Sequence, residues 1–238
     1  MNSRLPVGLT IATAISLVIL CGLGTWQLQR LAWKRDLLAR VAALQAAPAR
    51  PAGPVLDRRA NGQDIDYTRV ALDCPGLATA PYLELYGVRE GQAGVRLISA
   101  CPSPGRGYRS ILVDRGFVAD TISARPPVDA AAQAPVALQG ILRSPDKPSP
   151  FAAANDPRNN HWYTRDIAAM ARALGARSPA PVFLMAETAT NPEWKALVPA
   201  PLPTDIPNRH LEYALTWFGL AGALIGVYAA VLWRRWKA

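Results

Sequence analysis

Residues 5–29 read LPVGLTIATAISLVILCGLGTWQLQ, 25 residues without one charged side chain. At a rise of about 1.5 Å per residue, a helix of that length crosses a hydrocarbon core of about 30 Å. A second run, Tyr213 to Trp233, holds 21 uncharged residues near the other end of the chain. Two membrane spans are therefore expected, the first over 5–29 and the second over 211–233. Between them Arg30 to Glu212 form one continuous stretch of 183 residues, the size of one domain displayed on one face of a membrane. The two runs also account for a charged fraction of only 18%, against about a quarter in soluble domains. A plain soluble protein is excluded.

The first run is longer than the apolar region of a secretory signal and ends without a small-x-small cleavage site, so it reads as a retained anchor. Cys21 follows the large Leu20, which does not suit a lipoprotein acceptor, and reads as a membrane-buried thiol. No Arg- and Ser-rich presequence precedes the run, so a bacterial cytoplasmic membrane fits better than mitochondrial import. Charge does not fix the orientation. Arg4, Arg234, Arg235 and Lys237 flank the outer ends of the two runs, while Arg30, Lys34, Arg35, Arg40 and Arg209 flank the inner ends, and a connecting domain this long weakens the positive-inside bias. The net charge of +9 divides into +4 from residues 34–207, with 20 basic and 16 acidic side chains, and +5 from the helix ends. There the cations meet lipid headgroups. A nucleic-acid partner is not implied.

Beyond the first span, Leu31, Leu38, Val41 and Gln45 keep helical spacing, so the helix is expected to continue as an arm to about residue 47. Pro48 to Pro54 break it, and a linker rich in Pro, Gly, Asn and Asp follows to Asp66. Residues 55–207 then read as a β-rich domain. Tyr67 to Cys74 alternates apolar and polar residues with the period of a half-buried strand. Tyr82–Val88, Gly94–Ala100, Arg109–Ala119 and Val136–Leu142 read similarly, separated by turn clusters that favour antiparallel hairpins. One helix interrupts them, with Ile167, Met170, Ala171 and Leu174 on one face, Thr164 or Asp166 as cap and Gly175 at the end. Pro181–Ala186 supplies a last strand. The fold expected is two transmembrane helices flanking an antiparallel α+β or small barrel-like domain.

Few residues offer catalysis. The chain has two histidines, His161 and His210, which leaves no histidine triad, H-E-x-x-H site or His-rich metal cluster. No phosphate-cradling glycine motif occurs. Asp64 and Asp66 read as solvated linker carboxylates, and His161 as a loop histidine or helix cap. Cys74 and Cys101 each end a strand-like run and precede a proline; they read either as two half-buried thiols or, in an oxidising compartment, as a disulfide.

The membrane edges are richer. Gly24, Trp26, Gln27, Arg30 and Trp33 crowd the exit of the first span, and Asn208, Arg209, His210, Tyr213 and Trp217 the start of the second. One loop joins the two spans, so both clusters belong to the same membrane surface. Trp26, Trp33 and Trp217 read equally as interfacial anchors. His210 demands more: an ionisable group at the edge of a span needs a partner and marks a functional site by default. Its imidazole can ligate haem iron, Arg30 or Arg209 can pair with propionates, and Trp26, Tyr213 and Trp217 can pack a macrocycle.

Four segments in this order resemble the Surf1 (Shy1-like) cytochrome oxidase assembly factors. They are Gly24-Thr25-Trp26-Gln27-Leu28-Gln29-Arg30 with Trp33-Lys34; Val113-Asp114-Arg115-Gly116-Phe117-Val118; Asn160-His161-Trp162-Tyr163 through Asp166 and Met170-Ala171; and Pro207-Asn208-Arg209-His210 through Ala221. Asp114 stands where the family has Asn, Phe117 where it has Trp, and no proline follows Val118. The Cys74/Cys101 pair is outside the family pattern. The resemblance implies a two-span inner-membrane protein with cytoplasmic termini and a periplasmic domain. It implies a role in building cytochrome c oxidase by binding or delivering haem a for subunit I, with subunit I and other assembly factors such as haem a synthase as partners; the scarcity of His, Cys and paired acids leaves no turnover expected. The alternative within the same role is a scaffold that stabilises a subunit I intermediate without holding haem. By the same resemblance His210 is the haem-linked histidine; Arg115 and Gly116, in an alternating run remote in sequence from the membrane edge, read as stabilising their strand.

Overall fold

A computed structural model of the chain describes residues 6–145, 151–200 and 208–237. Leu5, where the first span was expected to begin, and residues 201–207, where the domain was expected to end and the fourth motif begins, lie outside the described residues. The chain divides into two compact units, one made of residues 1–41 and 204–238 and the other of residues 42–203.

The first unit is built on two helices. α1 runs unbroken over Val7–Ala46 and α4 over His210–Lys237. Each holds a window long and apolar enough to cross a membrane, of which only 11% and 6% of residues are buried by protein. That exposure excludes core helices of a soluble fold and leaves a lipid-facing surface. α1 ends at Ala46, just before Pro48.

The second unit is an eight-stranded sheet. Its strands are β1 (Arg50–Pro51), β2 (Arg69–Pro75), β3 (Leu83–Arg89), β4 (Gln92–Pro102), β5 (Ser110–Ala119), β6 (Pro135–Arg143), β7 (His161–Trp162) and β8 (Pro179–Ala186), in the order β1-β2-β6-β8-β5-β4-β3-β7. β3, β4 and β5 form the antiparallel meander that the alternation implies. The sheet as a whole is mixed, because β1–β2, β3–β7 and β5–β8 pair in parallel. β2 and β4 are four places apart in this order, about 19 Å across a flat sheet at about 4.8 Å per strand. Yet Cys74 of β2 and Cys101 of β4 are disulfide-bonded, with Cα atoms 5.6 Å apart. The sheet must therefore roll into a barrel-like body, with the disulfide joining β2 to β4 across the roll. Inside the roll lie Val70, Leu72, Ile111, Val113, Leu142 and Leu184.

The linker expected after Pro48 is instead a helix, α2 (Ala52–Ala60), whose Val55 and Leu56 plug the inner core. Gly53 and Pro54 read as breakers, but both sit in its first turn, where a missing N–H costs nothing. The expected helix is α3 (Ile167–Ala173), capped by the Asp166 carboxylate accepting from the Ala169 N–H at 3.0 Å. It packs Met170 and Ala171 against the outer face of the sheet with Phe183 and Trp162.

Two of the motifs are spent on this domain. Along β5, Ile111 and Val113 face the inside of the roll and Arg115 continues the series, fully buried. Its guanidinium donates to the Ala78 and Ala80 carbonyls at 2.7 and 3.4 Å and to the Ser99 and Thr190 hydroxyls at 3.4 and 3.5 Å. Burial pushes this guanidinium down to about 10, still protonated at neutral pH. Gly116 has φ +133°, and a Cβ there would strike the Val198 carbonyl, which accepts from the Phe117 N–H at 2.8 Å. Asp114 faces the other way, fully buried, and accepts from Arg96 at 2.6 Å and Arg165 at 3.1 Å. In the third motif the Asn160 carboxamide ties the β3 backbone at Glu84 to the Trp162 indole. Trp162 is core; His161 is exposed, edge-on to Tyr86 at 5.6 Å. The Asp66 carboxylate, expected to be solvated, holds the Ser144 N–H and hydroxyl at 3.0 and 2.8 Å.

Candidate functional site

The remaining two motifs meet in the helix pair. On α1 the buried and half-buried positions include Thr10, Thr13, Leu17, Leu20, Gly24, Gln27 and Leu31; on α4 they include His210, Ala214, Trp217, Ala221, Leu224 and Tyr228. Steps of three and four alternate on both, the signature of a left-handed antiparallel seam. Small residues bring the backbones close: Ala214 and Ala221 are buried, and a Cβ on Gly24 would lie 2.7 Å from the Phe218 ring. Small residues at such a seam are what helix association in lipid uses, since apolar contact alone gives no preference over lipid.

Two polar contacts pin the register. The Thr10 hydroxyl meets the Tyr228 hydroxyl at 2.6 Å, and His210 Nδ1 meets Gln27 Oε1 at 2.7 Å. They are 17 residues apart on α1, about 26 Å of helix, close to the thickness of a hydrocarbon core.

The second contact has a chemical consequence. With Gln27 Oε1 as the acceptor, a neutral ring carries its proton on Nδ1 and its lone pair on Nε2. No described residue bonds Nε2. Asn208, two residues earlier, has a buried Oδ1 that takes no hydrogen bond.

The other predicted residues flank this pair on one side. At about 100° per residue, Trp26 and Arg30 stand about 100° and 60° to one side of Gln27, and Tyr213 stands at the second of these offsets from His210, with Arg209 immediately before the first turn of α4. Because the helices are antiparallel, these offsets project to the same side of the pair. Trp26 and Tyr213 are 53% and 55% exposed, so two ring faces are open beside the imidazole. The Arg30 guanidinium lies 4.3 Å over the Trp33 ring, a stacking that leaves its edge donors available. Arg209 is exposed, and Trp217 sits in the seam two turns from His210. Thus one nitrogen with a free lone pair, two guanidinium groups and open aromatic faces share one edge. That donor set suits a flat, dianionic metal macrocycle.

A sequence model described as the SURF1 family matches residues 14–222, which takes in all four motifs, most of α1 and the first half of α4. The chain belongs to the SURF1 family. It is 30% identical over 223 residues to surfeit locus protein 1 of Homo sapiens, covering 85% of this chain and 70% of that protein. It is 31% identical over 225 residues to a SURF1-like protein of Monosiga brevicollis, covering 89% and 82%. A SURF1-like protein of Rickettsia bellii is 30% identical over 219 residues, covering 90% and 86%.

Within this SURF1 chain, the residue that sequence reasoning left without a role is Gln27. It was quoted within the first motif but given no task, because its link to His210 spans 183 positions and depends on the seam register. Thr10 and Tyr228 were missed for the same reason. A signal did exist: Thr10 and Gln27, like His210 and Tyr228, lie on the same seam face of their helices, as polar groups in otherwise apolar runs.

Proposed function

We propose that this chain works in the assembly of cytochrome c oxidase, the role that SURF1 membership implies, and that it does so by holding haem a as cargo for subunit I. His210 would hold the iron through Nε2. Arg30 and Arg209 receive the propionates, and Trp26, Tyr213 and Trp217 pack the macrocycle. The observation that carries this reading is the Gln27–His210 bond, which leaves the metal-binding nitrogen free and supports the other as metal-ligating histidines require. The open flank beside Trp26 and Tyr213 suits a carrier, since cargo must leave toward a partner, and haem a synthase and subunit I are the expected donor and acceptor. The chain is read as a two-span protein of a bacterial inner membrane with both termini cytoplasmic and the domain periplasmic, where an oxidising environment would sustain the Cys74–Cys101 bridge. No turnover of its own is assigned to it.

The test is the absorption spectrum of protein purified from cells able to make haem a, with and without His210→Ala. Loss of the Soret band in the variant supports the reading, and an unchanged haem load removes it. Wild-type protein that co-purifies with oxidase subunits but shows no Soret band favours a scaffold that stabilises subunit I without haem.

A further inference from the structure

Resting on the haem reading, we propose that Gln27 is the positioning residue of the site: its carboxamide oxygen selects the His210 tautomer and holds the ring so that Nε2 is presented to the iron. The bond of 2.7 Å joins the two helices at the end of the seam. Gln27 is half-buried, with Gly24 one turn before it and Leu31 one turn after it both buried. An acceptor so enclosed is not readily replaced by water. A ring nitrogen that donates to a fixed acceptor makes the opposite nitrogen a better ligand and restricts ring rotation. Without the acceptor the proton is free to move to Nε2, where it blocks coordination. Because donor and acceptor belong to different helices, the coordinating tautomer is favoured only while the two spans are paired. Pairing and ligand competence are then coupled.

The experiment uses the full chain in detergent, as wild type, Gln27→Leu, Gln27→Glu and His210→Ala. In haem-free protein, ¹⁵N spectra of the ring nitrogens report the tautomer. The chain has only two histidines, and His161→Gln assigns them. Wild-type His210 is expected as the Nδ1–H form and Gln27→Leu with Nε2–H gained. On loading with haem a, Gln27→Leu is expected to bind about 10- to 100-fold more weakly. Gln27→Glu keeps the acceptor and adds charge, so it should bind at least as well as wild type with a lowered midpoint potential, an effect that a merely structural residue would not produce. A tautomer or a haem affinity indifferent to Gln27→Leu overturns the inference while leaving His210 as ligand. A haem load unaffected by His210→Ala fails the haem reading itself, which the His210→Ala arm reports separately from the Gln27 arms.

Discussion

Arg115 in the domain and His210 in the helix pair are both polar side chains set among apolar neighbours, and both lie in motifs shared with the SURF1 family. They differ in what they leave unspent. Arg115 is fully buried and commits its guanidinium to four hydrogen bonds with Ala78, Ala80, Ser99 and Thr190. His210 commits one ring nitrogen to Gln27 and keeps the other. A polar group whose capacity is used up by its own chain is part of the fold, whereas one with capacity left over and an open flank is equipped for a ligand. Motif membership alone does not separate the two, but counting donors and acceptors does.

The largest effect that can break this contrast is expected from Arg115→Ala. It leaves the Ala80 carbonyl without its donor, takes one of two donors from the Ala78 carbonyl and opens a cavity inside the roll, at a cost of about 4 kcal/mol or more, or about 10 °C in the melting temperature of the domain. His210→Ala should leave that melting temperature within about 1 °C and remove haem instead. Circular dichroism melts and Soret absorbance on the same two samples show whether the effects dissociate; an Arg115→Ala protein that melts like wild type would dissolve the distinction.

The disulfide comes next. The bridge spans a sequence separation of 27 residues, for which chain entropy gives about 3.5 kcal/mol. Cys74→Ser with Cys101→Ser should lower the domain's urea midpoint accordingly, and dithiothreitol should do the same to wild type but not to the double variant. Both effects belong to the rolled sheet, so haem loading of the folded fraction should be unchanged.

How much of this was legible depended on the range of the physics involved. The spans followed from two uncharged runs, and β2 to β6 from alternation, because both signals are local. α2 was hidden because Gly53 and Pro54 look like breakers until their place in a first turn is known. β7 has only two residues and no period to detect. The roll that joins Cys74 to Cys101 arises from a strand order that no local pattern encodes, so the pair was readable only as an alternative between thiols and a bridge. At the site, His210 and its aromatic neighbours stood out by residue type, whereas Gln27 gains its role only when the seam register sets it opposite the imidazole.

A third substitution moves the contrast into the helix pair. Gly24→Leu places a side chain where the Phe218 ring already lies, and overpacking of this kind costs about 1–3 kcal/mol. Part of that cost is met by Phe218 swinging toward lipid, since its ring is 38% exposed. The rest must part the helices close to Gln27. Haem loading should fall while the melting temperature of the domain stays put; loading that is unaffected would show that the Gln27–His210 contact tolerates a wider seam.

The smallest effect is expected at the other polar contact of the seam. Thr10 and Tyr228 share a hydrogen bond of 2.6 Å about 26 Å from His210, measured along the helix, and have no metal-binding nitrogen to orient. Interhelical bonds within membranes contribute about 0.6 kcal/mol on average. Tyr228→Phe should therefore weaken pairing of α1 and α4 by about that amount when the equilibrium is measured by steric trapping in micelles, with haem affinity changed by less than about threefold. Gln27→Leu removes a bond of the same kind from the same seam and should weaken pairing similarly, yet reduce haem affinity far more. If the two variants reduce haem affinity equally, the loss in both comes from loosened pairing, and Gln27 acts as a seam pin like Tyr228. If they diverge, the bond to His210 does something that pairing alone does not.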